Sequence, residues 1–243
     1  LHKNIKLTAR VNYYRTDSDN MPVTSYSNSS ITYQLLWNQT NISMKEYANE
    51  YFSGRYNGNS FVNSDFLVGK DNYYNPYRIL YEETNSMDKD RLLGTVGLNI
   101  DIWKEKITLD VKTGVDMNNE FRIQKKPFYT SAYTRGFYRE QSNLVMDFNS
   151  EFMLKYQDSF FQDRFTFTAG FGGNNRTYNR RSSKYTLSQL DIEGIYNYSN
   201  YPAEVLPDHS LYRSNKIVNS LYGLVSLGWN DMVYLDVTAR NDW

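Results

Sequence analysis

His2 and His209 are the only imidazoles in a chain of 243 residues, and there is no cysteine. A zinc centre needs several His or Cys ligands at short spacing, and neither His has a second beside it. Without Cys there is no disulfide framework, thiolate site or Cys nucleophile. Asp208-His209-Ser210 holds the residue types of a hydrolytic triad, and Glu82-Glu83 a pair of carboxylates. A hydrolase needs those groups positioned by partners, and nothing recognisable supplies them. Asp17-Ser18-Asp19-Asn20 and Asp88-Lys89-Asp90 offer oxygens to Ca²⁺, but neither continues into the Gly and terminal Glu of an EF-hand loop. Both read as turns. No catalytic residue, cofactor or metal site is expected.

Recognition is a better use of what the chain carries. It has 23 Tyr and 13 Phe, and two groups of them fall between strand-like runs: Tyr129, Tyr133, Phe137 and Tyr138, then Tyr196, Tyr198 and Tyr201. Aromatic faces stack on sugars and pack against peptide side chains. The same rings could instead fold long loops onto each other or pack under a partner. Lys+Arg and Asp+Glu are both 27, and no basic run exceeds Arg180-Arg181, so nucleic acid is not an expected ligand.

The elements that carry these residues follow from period-2 alternation. Ile5, Leu7, Ala9, Val11 and Tyr13 alternate with Lys6, Thr8, Arg10 and Asn12. The pattern repeats over Leu92–Ile102, Ile107–Val115, Leu144–Tyr156, Phe165–Phe171, Leu221–Trp229 and Val233–Ala239, giving about seven strands. Met44–Phe52 reads as a short loop helix with Tyr47 and Tyr51 at i, i+4. Mean hydropathy is −0.69 with 16% aromatics, and no window approaches the roughly 18 apolar residues of a membrane helix. A transmembrane β-barrel reconciles these numbers, because only alternate residues face lipid.

Connections within hairpins are short, whereas Thr16–Asp90, Met117–Asn143 and Asn174–Asn219 are long. Outer-membrane barrels segregate short periplasmic turns from long external loops in this way. The expected fold is therefore all-β: one antiparallel barrel domain over 1–243, a wall segment of a larger barrel of roughly 22 strands. Both ends of the chain read as cut. The polar strand positions Asp101, Asp110, Lys112, Asp147, Glu151, Lys155, Asp236 and Arg240 are expected to face the lumen, toward a plug or substrate path. The plainer reading is that they are solvated wall residues or cross-strand ion pairs.

Local patterns resemble the SusC/RagA branch of TonB-dependent transporters of Bacteroidota. Asn75-Pro76-Tyr77 followed by Asp90-Arg91-Leu92-Leu93-Gly94 is similar to that family's mid-barrel segment. The strand-like run Asp191–Asn200, with Gly194, Tyr196, Ser199 and Asn200, resembles its G-x-Y-x-x-S-N segment. Leu221-Tyr222-Gly223 before Tyr234-Leu235-Asp236-Val237-Thr238-Ala239-Arg240-Asn241-Asp242 resembles its Y-L-x-x-(T/S)-x-R-x-D hairpin. Order and spacing fit over most of Asn75 to Trp243, while residues 1–74 match in character only. The resemblance implies active import of glycan or oligopeptide across the outer membrane. It also implies a SusD-type surface lipoprotein as lid, outer-membrane lipid around the wall, and TonB acting through a plug that these residues do not include. Two alternatives are a structural or assembly component built on the same barrel and a soluble β-rich carbohydrate-binding module.

Overall fold

A computed structural model describes residues 3–27, 29–37, 43–52, 75–128 and 133–243. Seven strands form one antiparallel sheet in sequence order: β1 (Ile5–Ser18), β2 (Thr84–Trp103), β3 (Ile107–Lys126), β4 (Phe137–Phe160), β5 (Phe165–Leu187), β6 (Asp208–Trp229) and β7 (Val233–Asp242). The sheet is not closed, and β1 and β7 are its edges.

Register explains why these sequences pair. Ile5, Ile100, Leu109, Leu154 and Phe171 stand in one cross-strand row, and Leu7, Leu98, Val111 and Phe152 in the next. Directly opposed residues share a face, so one face is continuously apolar. Near the short turns, a register shift between Asp101 and Trp103 brings Trp103 opposite Ile107 and into the apolar row. Phe160, Phe165 and Trp229 continue an aromatic edge there, with ring centroids 6.2 and 6.3 Å apart. Nothing among the described residues covers this face. Val11 is 73% exposed, Val237 56% and Phe171 52%. A water-soluble sheet does not leave so large a contiguous apolar surface open.

The apolar stripe also runs obliquely. On β1 it extends from Ile5 to Tyr13, and on β6 from Leu221 to Trp229. Following the register, the Tyr13 row passes Leu92, Met117, Met146 and Asn179 and reaches Asn215, six residues beyond Leu221. The Ile5 row likewise reaches Gly223, six residues short of Trp229. Six residues are about 20 Å along a strand, and five strand spacings are about 24 Å across. The stripe is level only if the strands lean by about 40°, the inclination of strands in outer-membrane barrels. Each stretch is nine residues long, matching the about 9–11 that a tilted strand needs to cross a bilayer.

Two hairpin ends are tight type I′ turns. Lys104 and Glu105 have φ of 44° and 62°, and Asn230 and Asp231 have 51° and 52°. Lys106 N–H donates to Trp103 O at 2.8 Å and Met232 N–H to Trp229 O at 3.0 Å. Positive φ at both central positions matches the right-handed strand twist, and Asn and Asp tolerate it best.

At the other end the strands run further than their alternation suggests. Residues 117–126, 137–143, 174–187 and 208–219, expected as loop, continue the ladders. Side-chain type stops alternating there, but the backbone pairing goes on. The true connections are 19–83, 127–136 and 188–207. The Asp191–Asn200 run is not a strand. It is a string of turns stapled by buried Asn200, whose Nδ2 donates to Ile192 O at 2.7 Å and Ile195 O at 2.6 Å.

The first connection carries α1 (Ile31–Leu36), α2 (Met44–Phe52) and α3 (Pro76–Tyr81). Helix α2 is the expected one, with Tyr47 2% exposed; the side chain of Tyr51 lies outside the described residues. Asn75-Pro76 starts α3. The Asn75 side chain accepts from Tyr77 N–H at 3.0 Å, and Pro76 occupies the first turn, where its missing N–H costs nothing.

Gly172 sits where the polar face packs closely against backbone as well as side chain. A Cβ there would lie 2.7 Å from Phe152 O and 2.6 Å from the Tyr222 ring. Gly172→Ala is expected to cost about 1–3 kcal/mol, as overpacking does. Urea unfolding of the folded barrel measures it, and an unchanged midpoint would refute the close packing.

Candidate functional site

The face opposite the apolar stripe is a polar wall. Along its lower and middle part, charges pair across strands. Arg91 donates to Asp116 from Nε at 3.0 Å and Nη2 at 2.7 Å. Arg176 Nε donates to Asp147 at 2.9 Å, and Lys112 lies 3.8 Å from Glu151. Asp116 and Asp147 stand directly opposite each other, so each needs its arginine to offset the repulsion of like charges.

The other polar-strand candidates stand on the same wall by register. Asp110 accepts from Asn99 at 2.7 Å and shares with Lys112 and Glu151 a hollow of about 450 Å³. Asp101 accepts from Glu105 N–H at 2.8 Å, which ties it to the hairpin turn. Arg240 donates to Asp242 at 2.8 Å and Ser220 at 3.0 Å, and its guanidinium lies 5.8 Å from the Tyr222 ring centre. Lys155 is opposite Thr108 and Gly170, and Asp236 opposite Ser226.

At the long-loop end the wall opens into a cleft of about 330 Å³, roofed by the β1–β2 connection and lined by Glu83, Gln124, Lys126, Tyr133, Phe137 and Arg139 among others. An ion cluster ties that roof to the wall. Glu83, 7% exposed, lies 3.3 Å from Arg78 and 3.3 Å from Lys126 and accepts from Ser29 at 2.7 Å. Lys126 also donates to Ser29 at 2.6 Å. Arg139 donates to Thr186 at 3.3 Å and Gln124 at 3.2 Å while resting over Phe137 at 4.9 Å. Such a cleft can hold an elongated polar ligand by charge and hydrogen bonding.

The aromatic candidates divide between the two faces. Tyr129 lies outside the described residues. Tyr133 and Phe137 contact each other at 4.8 Å and line the cleft, although Phe137 itself is 4% exposed and begins β4. Tyr138, the next residue along β4, turns to the opposite side and joins Phe128, Leu187 and Leu190 in a small core. Tyr196 packs against that core. Tyr198 meets Tyr138 at 6.0 Å and Tyr185 at 4.4 Å, and both Tyr138 and Tyr198 donate to Glu140. Tyr201 is exposed at the edge of the same lobe. The six described rings thus form no single binding surface.

Burial, with Glu82 and Glu193 nearby, pushes the Tyr196 phenol up to about 12 from an ordinary 10.0. Burial and then Glu140 raise Tyr138 and Tyr198 as well. A phenol raised in the folded state contributes its full stabilisation below the unfolded pKa and loses it as pH rises through the folded one. The 188–207 lobe is therefore expected to be fully stable below pH 10 and to loosen toward pH 12. Tyrosinate absorbance against pH tests this; an ordinary, uniform phenol titration would contradict it.

Asp208 and Ser210 stand on the polar wall and His209 on the other face, since neighbours on a strand alternate. They form no triad. Asp88 and Asp90 are used in cross-strand contacts with Arg15 (3.7 Å) and Tyr13, and Asn20 accepts from Asn85 N–H at 3.0 Å. The residues missed from sequence are Lys126, Arg139, Arg180, Lys184 and Lys216. Only strand parity carried through the apparent loops would have placed them on the wall.

No protein-family model matches the chain, and no curated protein does. Solved structures do. "Structure of the RagAB peptide transporter" superimposes with a TM-score of 0.64 at 17% identity, over 75% of this chain and 20% of that one. "Structure of the RagAB peptide importer in the 'closed-closed' state" gives 0.63 at 18%, with the same coverage. The 'open-open' state of that importer gives 0.72 at 15% identity, over 100% of this chain and 26% of that one. The likeness is one of fold, that of a β-barrel transporter wall, and the chain spans about a fifth to a quarter of those chains.

Proposed function

We propose that this chain is wall and mouth of a SusC/RagA-type importer in the bacterial outer membrane, driven through TonB and working with a SusD-type lipoprotein lid. The observation that carries the reading is the exposed apolar stripe, tilted as in a membrane barrel and backed by a polar wall. Fold likeness to RagAB peptide importer chains over the full chain supports it. Two unpaired sheet edges are untenable in lipid, where each bare backbone group costs several kcal/mol; further strands of the same barrel would pair with β1 and β7. The cargo is a glycan or oligopeptide too large for a porin, met first at the cleft under the β1–β2 connection. The wall contributes contacts and a path, and no bond is made or broken there.

Fractionation and uptake test this together. The intact protein is expected in the outer membrane, released only by detergent, with a lipoprotein co-purifying. Loss of the gene is expected to abolish uptake of labelled oligopeptide or oligosaccharide, as is collapse of the proton gradient. An intact protein soluble without detergent would sink the barrel reading. Normal uptake in the deletion strain, with a larger membrane complex lost, would move the protein to an assembly role.

A further inference from the structure

The polar wall changes character toward the long-loop end. Below, its charges are paired: Arg91 with Asp116, Arg176 with Asp147, Lys112 with Glu151. Above Arg176, β3 still carries pairs, Arg122 with Glu120 and Lys126 with Glu83, but on β5 and β6 pairing stops. The wall-facing positions of β5 and β6 there carry Arg180, Lys184 and Lys216 against one carboxylate, Asp208. None of the three cations forms an ion pair among the described residues. Arg139, beside them on β4, hydrogen-bonds only the neutral Thr186 and Gln124. The whole chain is balanced at 27 and 27, so this excess is local. A merely solvated wall would be expected to interleave its signs, as the lower part does.

The two arginines are held ready by rings, not by carboxylates. The Arg180 guanidinium lies 5.7 Å from the Tyr212 ring centre and that of Arg139 4.9 Å from Phe137. Arginines so placed keep donors free for an incoming anion. Ring faces capped by cations are less available to stack on sugars. Same-face positions on a strand recur about every 6.6 Å, the repeat of alternate side chains in an extended peptide. Resting on the import reading above, we propose that this surface selects acidic oligopeptides. Carboxylates of an extended Asp- or Glu-rich segment meet Arg180, Lys184 and Lys216 along β5 and β6, with Arg139 at the cleft.

Calorimetry on the intact transporter in detergent tests this with Glu-rich, Gln-rich and Lys-rich peptides of equal length, and with oligogalacturonate. The Glu-rich peptide is expected to bind at least about tenfold more tightly than the Gln-rich one, the equivalent of about one charge-assisted contact. Added salt should erode the difference. The triple variant Arg180→Gln, Lys184→Gln, Lys216→Gln should lose the preference. Arg181→Gln, Arg213→Gln, on the other face of the same strands, should keep it. Equal binding of Glu-rich and Gln-rich peptides, or a preference that survives in the triple variant, overturns the inference and leaves peptide import standing. Binding of oligogalacturonate but not of acidic peptide reassigns the surface to a glycan. Failure of every ligand to bind or enter removes the import reading as well.

Discussion

Leu154→Arg is expected to cost the folded barrel about 2–4 kcal/mol, the penalty for a cation near the bilayer midplane on the lipid face of a strand. Leu154 stands on β4 between Leu109 and Phe171 in the apolar row and is 43% exposed. In water that exposure would make the substitution nearly neutral, as most surface changes are. The membrane reverses the sign of the expectation, because the arginine must be desolvated or must snorkel past a row of Leu and Phe. Met153→Arg is the matched control. It lies one residue away on the polar wall, opposite Asp110 and Gly172, and should cost no more than about 1 kcal/mol, since a barrel lumen tolerates charge. Equilibrium unfolding of the intact barrel in lipid vesicles reads both values. Equal costs for the two variants would mean that the stripe does not face lipid.

That contrast rests on the part of the fold that was legible in the sequence. Alternation from Ile5 to Tyr13 and from Leu221 to Trp229 is what a barrel wall with lipid on one side and water on the other requires, so it marks strand and face together. Past Met117, Asn174 or Asn219 both faces meet water or loop, selection for alternation lapses, and β3, β5 and β6 continue without a sequence signal. The candidate site suffers most from this, because it is built where the signal is weakest. Phe137 and Tyr138 are adjacent in sequence and look equivalent, yet one lines the cleft and the other the opposite core. Lys126 and Arg139 look like loop charges, and become wall residues only once β3 and β4 are paired. Asn75-Pro76 is ambiguous for a different reason. Its cap-and-proline chemistry starts a helix as readily as it makes a turn, and α3 is fixed by what packs on it: Asn75 Nδ2 donates to Tyr47 O at 2.9 Å.

Arg78 is the residue that the cleft can least afford to lose. Arg78 and Glu83 are 2% and 7% exposed and 3.3 Å apart, at the junction where α3 meets the start of β2. Removing one partner of a buried pair costs about 3–5 kcal/mol, because the survivor stays desolvated and uncompensated. Arg78→Met should fall near about 3 kcal/mol, since Lys126 at 3.3 Å still partly neutralises Glu83. The damage is local: β2 and β3 keep their ladder, while α3 and the roof of the cleft lose their anchor. Hydrogen exchange at the amides of α3 and at the start of β2 should therefore accelerate, with exchange in the apolar stripe unchanged. The double variant Arg78→Met, Glu83→Leu tests the cause. If the cost is an orphaned carboxylate, removing that carboxylate should restore much of the lost protection. If packing by the arginine stem were the source, the second substitution would recover nothing, and the ion cluster would be incidental to holding the cleft closed.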